Sequence, residues 1–360
     1  MIRVLQVVGC LNYGGVESVI MNYYRHIDKS KIQFDFVTTS KGGRFEEEIK
    51  QLGGNIFYLP QKSRHPFEYM KQLKKVIREN NYDVVHSNTN SASAFLDLYP
   101  AKRAKVRVRI AHSHNNNCLI GWQHRILRPI LPTVTTHRMA CSDAAAKWLF
   151  GNNKNYKIIN NGIDFDKFAY NEDVRNKVRE KLNWKDYLLI GNVASFQDRK
   201  NQRFLIELMP QLISEFPNAK LVLVGAGDTQ EKLKQLCVDL GIESSVEFLG
   251  VRNDVNELLQ GFDVFCFPSL FEGLGVAYIE AAASSLPVVI SDGVPYVQIS
   301  ENVEQLALDS EQWLLKIKRA FGNSLNRRSL TNEEIINSGY DIKSLAKQLE
   351  EYYAAIVKND

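Results

Sequence analysis

A chain of 360 residues is too long for one ordinary hydrophobic core, so two domains are expected. Its 44% hydrophobic and 24% charged residues exclude a disordered or fibrous chain, and no apolar run reaches the ~20 residues that a membrane-spanning helix needs. The net charge of +4 conceals an asymmetry, because residues 1–170 hold 25 Lys/Arg against 13 Asp/Glu and residues 171–360 hold 20 against 28. The basic excess gathers at Lys102, Arg103, Lys105, Arg107, Arg109, Arg125, Arg128 and Arg138. It suits a phosphate or a phospholipid surface, although an ordinary solvated face has the same composition. No nucleic-acid partner is expected. Five cysteines (Cys10, Cys118, Cys141, Cys237 and Cys266) lack paired short spacings, which fits reduced thiols and gives no zinc or redox motif. A strand that begins at Arg3 with no leader-like cleavage site leads to the expectation of a cytoplasmic protein.

The first strand, Arg3–Val8, runs into Gly9-Cys10-Leu11-Asn12-Tyr13-Gly14-Gly15 and a helix over Val16–His26. Gly14 and Gly15 let backbone N–H groups approach an anion near a helix N-terminus, although a plain connecting turn has the same form. The spacing is not GxGxxG, so no nicotinamide cofactor is indicated. Strands over Gln33–Thr38, Asn55–Leu59, Val84–Ser87, Arg107–Ala111 and Arg138–Ala140 then alternate with amphipathic stretches such as Phe45–Leu52 and Pro66–Asn80. That alternation predicts a parallel sheet with helical crossovers. His86, His112 and His114 fall at strand ends, and alternate positions put the last two on one face. With no third ligand at a suitable spacing, a histidine bonded to a substrate hydroxyl is expected rather than a metal. The segment from Leu119 to Leu131 mixes Trp122 and aliphatic residues with Arg125 and Arg128. It reads as a membrane- or acceptor-facing patch, or as a buried helix with snorkelling arginines.

A strand over Tyr156–Ile159 ends in the turn Asn160-Asn161-Gly162, and a polar stretch from Ile163 to Trp184 separates the halves. Strands over Tyr187–Val193, Lys220–Val224, Ser245–Phe248, Val264–Phe267 and Val288–Ile290 follow, with helices over Gln202–Glu215, Thr229–Leu240 and Asp254–Gln260. Arg199 and Lys200 stand just before a helix start, where the dipole disfavours cations, which favours a diphosphate clamp over the alternative of two solvated cations. Gly225-Ala226-Gly227-Asp228 and Gly250-Val251-Arg252 are glycine turns at strand ends that suit a nucleotide or a simple connection. Phe262–Pro268 reads as a buried parallel strand, followed by Phe271-Glu272-Gly273-Leu274-Gly275-Val276-Ala277-Tyr278-Ile279-Glu280. Glu272 is thereby set at the carboxyl end of a strand and Glu280 on the next helix, where open α/β sheets bind ligands. Carboxylates there accept bonds from the hydroxyls of a sugar or ribose. Ser310–Asn337 is weak and polar, whereas Ile342–Ile356 puts Leu345, Leu349, Tyr352, Tyr353 and Ile356 on one face of a final helix.

Together these motifs resemble the retaining glycosyltransferases of family four over nearly the whole chain, most specifically through Phe271–Glu280 and the following Leu286-Pro287-Val288-Val289-Ile290-Ser291-Asp292. Within that family the chain is most similar to bacterial exopolysaccharide and capsule transferases. The resemblance implies an α/β GT-B fold of two doubly wound Rossmann-like domains facing across a cleft. Residues 1–165 would form the acceptor side, 166–340 the donor side, and 341–360 a helix packing back toward the first domain. It implies metal-independent transfer of a hexose from a nucleoside diphosphate sugar, a UDP-sugar, to a saccharide or lipid-linked acceptor at the inner face of the membrane. No cofactor beyond that co-substrate is implied, and cleft closure would exclude water.

By the same resemblance Gly15, with Gly14 beside it, meets the donor phosphate, and His112 lies near the hexose, with His114 still open. His86 and His114 are the acceptor-side candidates. Lys200 contacts the diphosphate, Glu272 reads hexose hydroxyls, and Glu280 accepts from the ribose. Gly273, Leu274, Gly275 and Val276 lie beside sugar and phosphate, with Gly225 and Arg252 completing the donor side. Catalysis is assigned to His112, Glu272, Lys200 and Arg199. The family's Gly-Arg pair before the phenylalanine of the lysine loop is here Ala194-Ser195. Ser195 thus stands where an arginine would stabilise the leaving diphosphate, and Arg199 is placed to substitute. A UDP-sugar epimerase of the same fold and a non-catalytic sugar-nucleotide-binding partner are the alternatives.

Overall fold

Apolar runs with little alternation, such as Val264–Phe267, are what a parallel sheet covered on both faces requires, and all four of those residues are buried. The computed structural model describes residues 1–12, 15–115, 121–323 and 327–359; Gly14, Cys118, Leu119 and Ile120 lie outside the described residues. Two compact units form, Met1–Gly162 with Tyr340–Asp360, and Ile163–Gly339.

The first unit holds β1 (Ile2–Val7), β2 (Ile32–Thr38), β3 (Ile56–Tyr58), β4 (Val84–Thr89), β5 (Val108–Ser113), β6 (His137–Ala140) and β7 (Lys157–Ile158). They pair in the order β3-β2-β1-β4-β5-β6-β7, all parallel. The order reverses direction between β1 and β4, which opens a crevice at their carboxyl ends. One sheet face is covered by the helix Gly15–His26 and by the C-terminal helix Ile342–Asn359, which buries Ile342, Leu349 and Tyr353 against Phe34, Phe36 and Met139.

The second unit holds β8 (Leu188–Val193), β9 (Ala219–Val224), β10 (Val246–Gly250), β11 (Val264–Phe267), β12 (Val288–Ser291) and β13 (Val303–Leu306). Their order is β10-β9-β8-β11-β12-β13, again all parallel, with the switch point between β8 and β11. The α/β fold class expected from the sequence is the one observed.

Three local expectations change. The polar stretch before Trp184 contains a helix, Glu172–Lys181, N-capped by the Asn171 side chain. Its buried face includes Arg175 and Arg179, which hydropathy reads as solvent-facing, but both pair with buried Asp263. Arg175 Nη2 lies 2.5 Å from Asp263 Oδ1, and Asp263 Oδ2 accepts from the Leu189 N–H at 2.7 Å. Second, the weak region after residue 310 forms the helices Ser310–Asn323 and Asn332–Ser338. Trp313, Leu314 and Ile317 fill the core beneath the first of them. Third, β13 was missed, because Val-Glu-Gln-Leu is short and half polar, as an edge strand tolerates.

Candidate active site

β8 ends at Val193, and its loop is anchored by the buried ring of Phe196, whose N–H donates to Ala226 O at 2.9 Å. A Cβ on Gly225 would fall 1.9 Å from Ala194 O, and one on Gly227 would fall 2.2 Å from Phe196 O. These glycines therefore let the loops after β8 and β9 touch. Ser195 is exposed, and its carbonyl accepts from Gln202 Nε2 at 3.1 Å. Asp198–Lys200 makes one 3-10 turn before the helix Gln202–Glu215. Across the switch point the Leu270 N–H donates to Arg199 O at 2.8 Å, which fixes this loop against the one after β11.

The side chains then converge. Lys200 Nζ donates to Glu272 Oε1, and Arg199 Nη1 lies 3.3 Å from Glu272 Oε2. The Lys200 and Glu272 side chains are only 11% and 8% exposed, so the pair is largely out of water. The Lys200 ammonium also lies 4.9 Å from the centroid of the Phe267 ring. Burial lowers the Lys200 pKa from its ordinary value, and the charge and hydrogen bond of Glu272 oppose that shift.

Gly273 and Leu274 follow, and Gly275, at φ 86°, opens the helix Val276–Ala283. No side chain caps that helix, so its first N–H groups are available to an anion. Glu280 sits on the same helix. Burial pushes its carboxyl up to about 7, and the charge of Lys167 opposes this. Arg252 holds Asp254 with both Nε and Nη2, at 2.8 and 2.5 Å, so its guanidinium is already engaged.

The Glu280 shift has a stability consequence. The carboxyl's ordinary value is 4.5, so ionising it costs folding energy as pH rises from about 4.5 to 7. Glu280→Gln removes that cost. The variant is expected to be more stable than the parent at pH 8, by up to about 3 kcal/mol, with no gain near pH 4. Equal melting curves at pH 8 would show that burial does not penalise the ionised carboxyl.

In the first unit, Gly15 begins the helix Gly15–His26 and is exposed. His86 lies on β4 and His112 on β5, while His114 falls just past the end of β5. The three rings form one cluster. His86 Nε2 is 3.1 Å from His112 Nδ1, and the His112 and His114 centroids are 3.9 Å apart. Burial pulls all three below the ordinary histidine range, His86 and His114 to about 3, so the rings are neutral at physiological pH. They act as hydrogen-bonding groups and not as cations. Among the described residues no three His, Cys, Asp or Glu side chains are grouped to hold a metal ion. Sequence reasoning missed three partners of this cluster, Gln6, Asn88 and Tyr353, which come from β1, β4 and the C-terminal helix.

Two carboxylates and two cations near the switch point of a doubly wound unit supply the hydrogen-bond acceptors and positive charges that a polyhydroxylated, phosphorylated ligand calls for. The family models "Glycosyltransferase Family 4" and "Glycosyl transferases group 1" match residues 13–167 and 174–332. The chain belongs to this glycosyltransferase family. It is 34% identical to EpsF of Bacillus subtilis (strain 168), named as a glycosyltransferase, over 99% of this chain and 98% of that one. It is 26% identical to the capsular polysaccharide biosynthesis glycosyltransferase CapH of Staphylococcus aureus, over 98% and 99%. The crystal structure of Anabaena Alr3699/HepE in complex with UDP and glucose superposes with a TM-score of 0.82 at 18% identity, covering 99% of this chain and 100% of that one. The fold is thus of the GT-B type. Neither the epimerase nor the non-catalytic alternative is favoured by these relatives.

Proposed function

We propose that the chain transfers a hexose from a UDP-sugar to a saccharide or lipid-linked saccharide in polysaccharide assembly, with retention of anomeric configuration and without a divalent ion. The observation that carries this reading is the convergence of Lys200 and Arg199 on Glu272 beside an uncapped helix N-terminus. Departure of a nucleoside diphosphate develops negative charge, and two cations with backbone N–H groups supply the matching charge. As the donor enters, hexose hydroxyls take over Glu272, and the released cations turn to the diphosphate. Glu280 accepts from the ribose. UDP in a structural neighbour and polysaccharide synthesis in the name of a relative support the donor and the pathway class.

Binding of the acceptor is assigned to the first unit, whose segment Gly121–Leu127 leaves Trp122 69% and Ile126 63% exposed beside the exposed Arg125. An indole ring and an aliphatic side chain beside a cation suit the interface of an anionic membrane, which is where a lipid-linked acceptor resides. That reading places the protein in the cytoplasm at the inner membrane face, and no helix among the described residues is long and apolar enough to cross a membrane.

Nuclear magnetic resonance of the product formed from a panel of nucleotide sugars and lipid-linked acceptors tests the reaction. A new glycosidic bond with the donor's anomeric configuration is expected. An inverted product would overturn retention, and an epimerised nucleotide sugar formed without acceptor would overturn transfer. Arg199→Ala is expected to lower kcat by about 10- to 100-fold, the loss of one electrostatic donor to the leaving group. A wild-type rate would show that Arg199 does not stand in for the arginine absent at Ser195.

A further inference from the structure

We infer that Tyr353, carried to the first sheet by the C-terminal helix, fixes through His86 which ring nitrogen of His112 bears the proton. The network has one consistent direction. Asn88 Nδ2 lies 3.4 Å from the His86 carbonyl and 2.8 Å from Gln6 Oε1, so that edge of Asn88 is its amide nitrogen. Gln6 Oε1 is thereby occupied as an acceptor, and Gln6 presents its Nε2 as a donor to Tyr353 Oη at 3.4 Å. The phenolic proton is then left to donate to His86 Nδ1, at 2.6 Å. With Nδ1 accepting, neutral His86 carries its proton on Nε2 and donates it to His112 Nδ1 at 3.1 Å. His112 is left with its proton on Nε2.

The same accounting applies to His114. Asn88 Oδ1 faces His114 Nε2 at 3.0 Å and only accepts, so His114 carries its proton there and its Nδ1 is bare. His112 Nε2 and His114 Nδ1 are both buried and have no partner among the described residues. One is a donor and the other an acceptor. A hydroxyl, of a ligand or of water, accepts through oxygen and donates its proton, and so matches both. Tyr353 and His86 are positioning residues in this scheme, because they act through His112. The consequence for transfer rests on the reading of His112 as a contact of the hexose.

The full-length chain labelled with 15N-histidine tests this by two-bond 1H–15N spectra, with the His112 signals identified by their loss in His112→Gln. At pH 7.5 the wild type is expected to show His112 protonated on Nε2 and bare on Nδ1. Tyr353→Phe keeps the ring that packs edge-on to Phe34 and removes only the hydroxyl. It is expected to mix the two His112 tautomers and to lower kcat roughly tenfold with the UDP Kd unchanged. A wild-type His112 protonated on Nδ1, or an unaltered tautomer in Tyr353→Phe, would overturn the inference. Should the variant fail to fold, the wild-type tautomer decides alone. A shifted tautomer with unchanged turnover would uphold the tautomer control and refute the hexose contact instead.

Discussion

Lys200→Met is expected to lower kcat by about 10²- to 10³-fold, the range found when a pre-positioned donor to developing negative charge is removed. Methionine keeps an apolar chain in place of the lysine stem and deletes the ammonium, together with its contact to the Phe267 ring. The cost falls on the transition state, because the diphosphate gains charge as the sugar departs. Free UDP carries its charge already, and its affinity is expected to drop by less than the rate does. The variant also leaves the Glu272 carboxylate buried with Arg199 as its remaining charged neighbour, a contact of 3.3 Å. A moderate loss of stability, about 1–3 kcal/mol, accompanies the loss of rate. Single-turnover rates within threefold of the parent would remove Lys200 from the chemistry.

Glu272→Gln is expected to produce a different signature, with kcat/KM down about 100-fold and free UDP bound as tightly as in the parent or several-fold more tightly. The carboxylate has two functions that the amide separates. It holds Lys200 and Arg199 in the unliganded protein, and it accepts from sugar hydroxyls in the proposed complex. Removing its charge frees both cations for the diphosphate and weakens recognition of the hexose. Calorimetry with UDP and with UDP-sugars measures the two effects separately. A large loss of UDP affinity in Glu272→Gln would mean that the residue serves the nucleotide, the part here given to Glu280.

The sheets were legible because parallel strands buried on both faces are nearly continuous apolar runs, as in Val264–Phe267 and Leu221–Val224. The placement of Glu272 and Lys200 at strand ends followed from the same runs. Their pairing did not, since 72 positions separate them and nothing local signals that a lysine closes on that carboxylate. The helix Glu172–Lys181 was hidden for a related reason: its inward residues are arginines, and only Asp263, far along the chain, makes their burial possible. Tyr353 was readable as part of an apolar helix face, yet its bond to His86 spans 267 positions. Contacts set by topology leave no periodic trace. The glycine turn at Gly225 suits a nucleotide or a simple connection in sequence, and its tight approach to Ala194, set by the fold, has no local signal.

In the proposed reaction the switch-point cluster of Lys200, Arg199 and Glu272 drives transfer to an acceptor. Release of nucleoside diphosphate from a panel of UDP-sugars, followed with and without a lipid-linked saccharide, tests it most directly. Release is expected only when acceptor is present, with one diphosphate for each acceptor glycosylated, and almost none from Lys200→Met. Release at the same rate without acceptor, or full release by Lys200→Met, would contradict it.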